Sequence, residues 1–351
     1  MATQPETTMT EDAQQSQRKA DVLAELNRYP YRPPLWLRNS HVQTVGARYA
    51  RRLSRPPMRV ERWDTPDDDF LDLHFLEGRP DMPTALLLHG LEGSIDSTYF
   101  LGLIHELARH DWNVVAMEFR SCSGEINRSK RMYHSGETSD TAWVVERLVQ
   151  RHPDIQIYLA GFSLGGNVTA KWFGEMGADL PANVRAGAVV SPPYDLVASG
   201  KHMDNSISRL YVYHFLRKLL PKAEEKHKQY PDLLDIERLR KARTFEEFDT
   251  LATAPLHGFT DARDYYTSVA CGRFLEAVRR PILLLSAADD PFNPGDTIPR
   301  ELSERHPYLH GQFSELGGHV GFIHQRPAGG LGYWAEEQVV RFFEAYRKRL
   351  A

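Results

Sequence analysis

The sequence predicts an α/β fold: a mostly parallel central sheet with helices on both faces and a helical cap inserted between two late strands. Three observations predict it. Short continuous apolar runs, such as Thr84–Leu88 and residues 281–286, have the length of strands buried on both faces of a parallel sheet. Segments with helical spacing alternate with these runs, as at Phe100, Leu103, Ile104 and Leu107 after the first. Between residues 192 and 280 the strand signals stop and a charged, helix-patterned block takes their place.

Residues 1–20 are rich in Thr, Gln, Glu, Ser and Asp and contain no apolar stretch, so they read as a disordered tail rather than a signal peptide. Residues 21–27 suit a short amphipathic helix, which the prolines at 30, 33 and 34 end. Arg48, Arg51, Arg52 and Arg55 make the next stretch basic, either as a solvated face or as a transient contact with an anionic membrane surface. Residues 58–63 and 69–75 alternate like half-exposed strands around the turn Thr65-Pro66-Asp67-Asp68.

The parallel part then begins. Its expected strands are Thr84–Leu88, Asn113–Met117 and residues 155–160, 186–191, 281–286 and 311–316. Helical faces lie at Ala142, Val145, Leu148 and Val149, over residues 166–175, and at Ala335, Val339, Phe342, Phe343 and Tyr346. The expected organisation is a tail (1–20), a first core part (21–191), the cap (192–280) and a second core part (281–351). Inside the cap, Ile207, Leu210, Tyr211, His214, Phe215 and Leu219 form an apolar stripe that packs the cap on the core or touches lipid.

Composition narrows the function classes. Hydrophobic residues at 41% and charged residues at 26% are those of a soluble globular protein, and a net charge of −4 gives no reason to expect a nucleic-acid partner. No apolar run reaches the roughly 18 residues of a membrane span. Cys122 and Cys271 are far apart and outside any C-x-x-C pair, so neither a disulfide nor a zinc site is expected, and a reducing, cytoplasmic location fits. There is no H-E-x-x-H pattern and no dinucleotide fingerprint, so no metal and no cofactor is expected.

The chemistry gathers around Gly161-Phe162-Ser163-Leu164-Gly165. An apolar run precedes this G-x-S-x-G pattern and a helical segment follows it, the context in which the serine is held on a strained turn as a nucleophile. Ser163 then needs a base, and the base needs an acid to hold its tautomer. Asp290, just before Pro291 at the end of strand 281–286, is the expected acid, with Asp289 and Asp195 as its competitors. His319, in Gly317-Gly318-His319-Val320-Gly321-Phe322 after the last strand, is the expected base, with His324 its competitor among fifteen histidines. The N–H groups of Leu164 and Leu91 occupy the positions from which two donors reach a tetrahedral oxyanion. In the loop after the second parallel strand, Arg120, His134 and Glu137 either hold the loop as a buried polar network or bind a polar head group.

Several blocks together resemble the YheT-like branch of the α/β-hydrolase superfamily. They are Asn39-Ser40-His41-Val42-Gln43-Thr44, His89-Gly90-Leu91-Glu92-Gly93-Ser94, Phe119-Arg120-Ser121-Cys122-Ser123-Gly124-Glu125, His134-Ser135-Gly136-Glu137-Thr138, Gly161-Phe162-Ser163-Leu164-Gly165-Gly166-Asn167, Ala288-Asp289-Asp290-Pro291-Phe292 and the His319 block. The resemblance implies an α/β-hydrolase fold and a Ser-Asp-His hydrolase acting on carboxylic esters, with relatives that act on acylglycerols or phospholipids. Ser121 stands where the family pattern has glycine. The resulting expectation is hydrolysis of an ester with an apolar acyl chain through an acyl-enzyme intermediate. A lipid-directed lipase or phospholipase, or an acyltransferase using the same triad, is the second reading.

Overall fold

The computed structural model describes residues 11–51, 53–204, 206–326 and 329–350. The chain opens with helix α1 (Glu11–Leu26), a 3-10 turn (Leu35–Leu37) and helix α2 (Ser40–Ala50). Strands β1 (Arg59–Asp64) and β2 (Phe70–Leu76) pair antiparallel. Then β3 (Thr84–Leu88), α3 (Thr98–Ala108), β4 (Asn113–Met117), α4 (Ser139–Arg151), β5 (Ile157–Phe162), α5 (Leu164–Met176) and β6 (Val184–Val190) alternate. The block after β6 holds α6 (Leu196–Met203), the long α7 (Arg209–Gln229), and the short helices α8 (Ile236–Leu239), α9 (Phe245–Phe248), α10 (Ala254–His257) and α11 (Ala262–Val269). Strand β7 (Ile282–Ala287), α12 (Arg300–Arg305), β8 (Leu309–Ser314), the hairpin β9 (Ile323–Gln325) with β10 (Leu331–Tyr333), and α13 (Trp334–Leu350) complete the chain.

The eight-stranded sheet has the order β1-β2-β4-β3-β5-β6-β7-β8. Strand β2 runs antiparallel to both of its neighbours, β1 and β4, whereas every pair from β4 through β8 is parallel. From β3 the chain goes first to β4 on one side and then to β5 on the other. This reversal opens a crevice at the carboxyl ends of β3 and β5, where open α/β sheets place their sites. The continuous apolar run of β3 follows from its two covered faces. Ala85 and Leu87 pack with Leu103, Ile104 and Phe343 of α3 and α13, while Leu86 and Leu88 pack with Val144, Leu148 and Val168 of α4 and α5.

Four expectations need correction. Residues 11–20 belong to helix α1 instead of a disordered tail; residues 1–10 lie outside the described part. The buried positions of α1 are Gln15, Lys19, Val22 and Leu26, a helical stripe whose first half is polar. Gln15 donates to the Tyr346 hydroxyl at 3.1 Å, and Lys19 Nζ donates to the carbonyls of Glu304 and His306 at 3.0 and 2.9 Å, so polar bonds do what apolar residues do elsewhere. The basic stretch is also not one solvated face: Arg51 is buried against Glu336 at 2.5 Å and Arg55 pairs with Asp96, while Arg48 faces solvent and Arg52 is outside the described residues.

The cap stripe holds only in part. Leu219 is buried and Tyr211 and Phe215 pack against the cap cluster, but Ile207, Leu210 and His214 are exposed and the buried face is centred one position on. Val212, Leu216, Leu219, Ala223 and Lys226 are the buried positions of α7. Residues 271–277, expected in the cap, instead form a 3-10 segment whose Cys271 and Leu275 join the cluster under α5 and the sheet. Among the described residues, no helix is long and apolar enough to cross a membrane. The core helices α3 and α13, by contrast, pack where their sequence periodicity puts them.

Two fully buried histidines tie this core to pH. His310 sits between the Tyr308 carbonyl (3.1 Å) and the Tyr346 hydroxyl (2.7 Å), and burial pushes its imidazole down to about 3. Burial likewise pushes His89 down to about 4. Because both folded values lie below the unfolded one, the unfolded chain binds more protons between pH 6.5 and 4, and stability falls as pH falls. Denaturant unfolding at a series of pH values should show a loss of roughly 2 kcal/mol per pH unit near pH 5.5 from these two groups. His310→Gln should reduce the measured slope by about 1 kcal/mol per pH unit, and a slope unchanged by that substitution would contradict a buried neutral imidazole there.

Candidate active site

Strand β5 ends at Phe162 and helix α5 begins at Leu164, so the whole turn falls on Ser163, with φ 51° and ψ −117°. Such a backbone costs a non-glycine residue on the order of 1–3 kcal/mol and is held only by its surroundings. Here the Ser163 N–H donates to the Val190 carbonyl of β6 at 2.8 Å, and its own carbonyl accepts from the Asn167 N–H at 2.9 Å. The flanking glycines are required sterically. A side chain on Gly161 would run into the Gly165 carbonyl, and one on Gly165 into the carbonyls of Leu88 and His89 at the end of β3.

The loops after β7 and β8 bring Asp290 and His319 to this turn. His319 Nε2 lies 2.9 Å from Ser163 Oγ, and His319 Nδ1 lies 2.8 and 3.1 Å from the two carboxylate oxygens of Asp290. Both partners are buried. Asp290 Oδ1 also accepts from the Phe292 N–H at 2.7 Å, and Oδ2 accepts from Asn293 Nδ2 at 3.3 Å, which orients the carboxylate. The Phe292 ring stacks on the imidazole with centroids 4.1 Å apart. Asp289 is turned away and accepts the Gly318 N–H at 2.9 Å, bracing the loop that carries His319.

Asp195 and His324 lie away from this centre. Asp195 is the exposed N-cap of α6, accepting from the Ala198 N–H at 2.9 Å. His324 lies in β9, 3.2 Å from Glu337.

Leu91 and Leu164 line the same cavity as Ser163 and His319. Leu164 is the first residue of α5, so its N–H has no intrahelical acceptor and lies at the positive end of the helix dipole. The Leu91 loop is fixed by His89, whose Nδ1–H donates to the Gly90 carbonyl at 2.7 Å while Nε2 accepts the Phe119 N–H at 3.1 Å. The neutral imidazole that burial enforces is the only form able to make both bonds. The Tyr99 hydroxyl accepts the Gly90 N–H at 2.8 Å.

A cavity of about 140 Å³ extends from Ser163 under the cap. Its walls include Met203, Leu219, Phe245, Phe248 and Leu256 of the cap and Phe292 of the core. His134 also lines it and packs against His257 and Tyr265, whereas Arg120 and Glu137 do not. Arg120 is buried, donates to both oxygens of Asp140 at 2.7 Å, and reaches Asp69 at 2.6 Å and Asp67 at 3.0 Å. Glu137 pairs with Arg131 at 2.7 Å. These charges hold the loop from Phe119 to the start of α4. Burial would raise the Asp69 carboxyl, but bonds from Asn127, Ser129 and the Arg128 N–H, with the Arg120 charge, bring it down to about 2. Cys122 and Cys271 are free, and burial raises both thiols. No group of three or more metal-ligating side chains is found among the described residues.

Sequence reasoning did not single out three supporting residues: Thr44 of α2, whose hydroxyl accepts the His319 N–H at 2.9 Å, Asn293, and the Phe292 ring. The Asn39 to Thr44 block was the signal for the first, since nothing else in the sequence links that segment to the site.

A profile of the α/β-hydrolase fold matches residues 83–323. The chain is similar to YheT, a provisionally assigned esterase of Escherichia coli (strain K12), with 39% identity over 81% of this chain and 84% of that one. It is 29% identical to the phospholipase ABHD3 of Mus musculus over 84% of this chain and 73% of the relative, and 28% identical to a monoacylglycerol lipase of Saccharomyces cerevisiae over 76% of this chain and 60% of the relative. Among solved structures, the Pyrococcus furiosus esterase Pf2001 superposes with a TM-score of 0.54 at 16% identity, covering 83% of this chain and 92% of that one, a likeness of fold alone.

Ser121 illustrates how the loop tolerates a departure from the family pattern. Its φ is 62°, which explains a glycine there, and its hydroxyl donates to Asn127 Oδ1 at 2.7 Å and accepts the Asn127 N–H at 3.1 Å. Ser121→Ala keeps the strained backbone and loses both bonds, so denaturant midpoints should place it about 1–3 kcal/mol below the parent. Ser121→Gly relieves the backbone and should lose less. Equal losses in the two variants would mean that position 121 holds no backbone strain for glycine to relieve.

Proposed function

Because this chain belongs to the YheT-like branch of the α/β-hydrolase superfamily, an esterase- and lipase-like group, we propose that it is a serine carboxylic ester hydrolase working through Ser163, His319 and Asp290. The observation that carries this reading is the unbroken contact from Ser163 Oγ through the His319 ring to Asp290, at 2.9 and 2.8 Å. In the proposed reaction His319 Nε2 takes the hydroxyl proton as Ser163 Oγ attacks the ester carbonyl carbon. Asp290 holds Nδ1–H and offsets the charge of the imidazolium. The tetrahedral oxyanion accepts bonds from the Leu91 and Leu164 N–H groups. His319 then hands its proton to the leaving alcohol, and a water activated by the same nitrogen releases the acid from the acyl-enzyme.

The acyl part belongs in the cavity under the cap. Its predominantly apolar walls favour an alkyl chain, and the lipase and phospholipase names of two relatives agree with an ester of that kind. A volume of about 140 Å³ is close to the ~150 Å³ apolar cavity that takes one benzene, so about six carbons fit before the cap has to move.

On p-nitrophenyl esters, Ser163→Ala should lose at least about 10⁴-fold in kcat, and Asp290→Asn about as much through the wrong imidazole tautomer. Undiminished turnover by Ser163→Ala would remove the mechanism. Across an acyl series, kcat/KM should rise about fourfold per added CH₂ up to about six carbons and then level off. A steep preference for acetate would show that the cap cavity does not receive the acyl chain.

A further inference from the structure

Among the described residues eleven large apolar side chains are exposed, and eight of them fall on three neighbouring segments, the Leu35–Leu37 turn, α2, and residues 207–213, which lead into α7. Leu35 is 76% exposed, Trp36 70%, Tyr49 73% and Leu210 69%. The two helices are joined at this face. His41 Nδ1 lies 3.1 Å from the Tyr211 hydroxyl with the rings stacked, and the charges of Arg48 and Arg217 both act on His214. Isolated exposed apolar residues need no explanation, but a cluster of this kind on a water-facing surface does.

The charge pattern says what covers it. The chain as a whole carries −4, yet residues 31–59 hold seven arginines and no acidic residue, and residues 207–222 hold four cations and none. Arg51, Arg55, Arg59 and Lys222 are neutralised by carboxylates. Arg38, Arg48 and Arg217 are exposed and have no carboxylate partner among the described residues. Aromatic tips with an apolar body and a polar end, interleaved with unpaired guanidinium groups, suit the boundary between phosphate head groups and acyl chains.

We infer that this face docks the protein on an anionic phospholipid surface. The same two helices support the site from their inner sides. Thr44 of α2 accepts the His319 N–H, and Tyr211 of α7 packs on Phe292, which in turn stacks on His319. The inference extends the hydrolase reading by naming where a water-insoluble ester would be met, but lipid binding itself requires no turnover.

Vesicle flotation with the Ser163→Ala chain tests it without consuming lipid. Vesicles of phosphatidylcholine with a third of phosphatidylglycerol should bind the protein at least tenfold more tightly than phosphatidylcholine alone, and high salt should remove most of the difference. Arg48→Glu and Arg217→Glu should each cost at least fivefold on anionic vesicles, and Trp36→Ala should weaken binding at any salt concentration. In the parent background the same substitutions should leave turnover of a soluble short-chain ester unchanged, which shows that they fold. The inference fails if vesicles do not bind, if the variants bind like the parent, or if gel filtration shows a dimer that Trp36→Ala dissolves, since a second copy would then cover the face. Vesicle binding in a chain with no ester turnover would overturn the hydrolase reading and leave this one standing.

Discussion

The first turn of α5 lies directly against the ends of β5 and β3, with no side chain between them. Any Cβ at Gly161 or Gly165 would collide with main-chain atoms of the opposing element. That contact forces the whole change of direction onto one residue, and it is why Ser163 takes a φ of 51°. The rest of the centre depends on it. With the helix this close, its first residue, Leu164, lines the crevice, and the strand beside it ends in the loop whose Leu91 lines the same cavity. The backbone strain is offset by packing in the sheet and is not spread along the chain.

Around this fixed point the site is assembled from polar groups that are buried and, for the most part, satisfied. Asp290 accepts bonds from its own loop as well as from His319, Asp289 takes the Gly318 amide, and Thr44 takes the amide of His319 itself. Arg51 reinforces the same loop by donating to the Gly321 carbonyl at 3.3 Å while paired with Glu336. Segments far apart in sequence therefore hold one imidazole: α2 and the β7 loop bond His319 directly, and α13 braces its loop through the Arg51–Glu336 pair. The paired charges of Arg120 perform the equivalent task for the loop after β4, where one bare carboxylate would cost several kcal/mol.

Much of this was legible in the sequence because strands covered on both faces announce themselves as continuous apolar runs and because the order Ser163, Asp290, His319 is fixed by topology. Strand ends moved by one or two residues, as at residues 155–160 against Ile157–Phe162, which leaves every loop residue in place. What could not be read had a physical reason. Helix α1 docks through Gln15 and Lys19, whose contribution lies in hydrogen bonds that no hydropathy pattern records. On α7, apolar residues occupy both the buried and the exposed side, so periodicity alone could not say which stripe faces inward. Phe292 and Thr44 act through contacts between distant segments, which sequence spacing does not encode.

Phe292 belongs to two structures at once. It is part of the apolar cluster that forms the interior of the cap, with Val212, Leu216 and Phe248, and it is also the ring stacked on His319. The cap is therefore not an exchangeable module set on a finished core. A cap transplanted from another member of the superfamily would have to supply a cavity for this ring, or the imidazole would lose its flat neighbour. Change in the cap is thus constrained from below, free at the far wall of the cavity and conservative where it meets position 292.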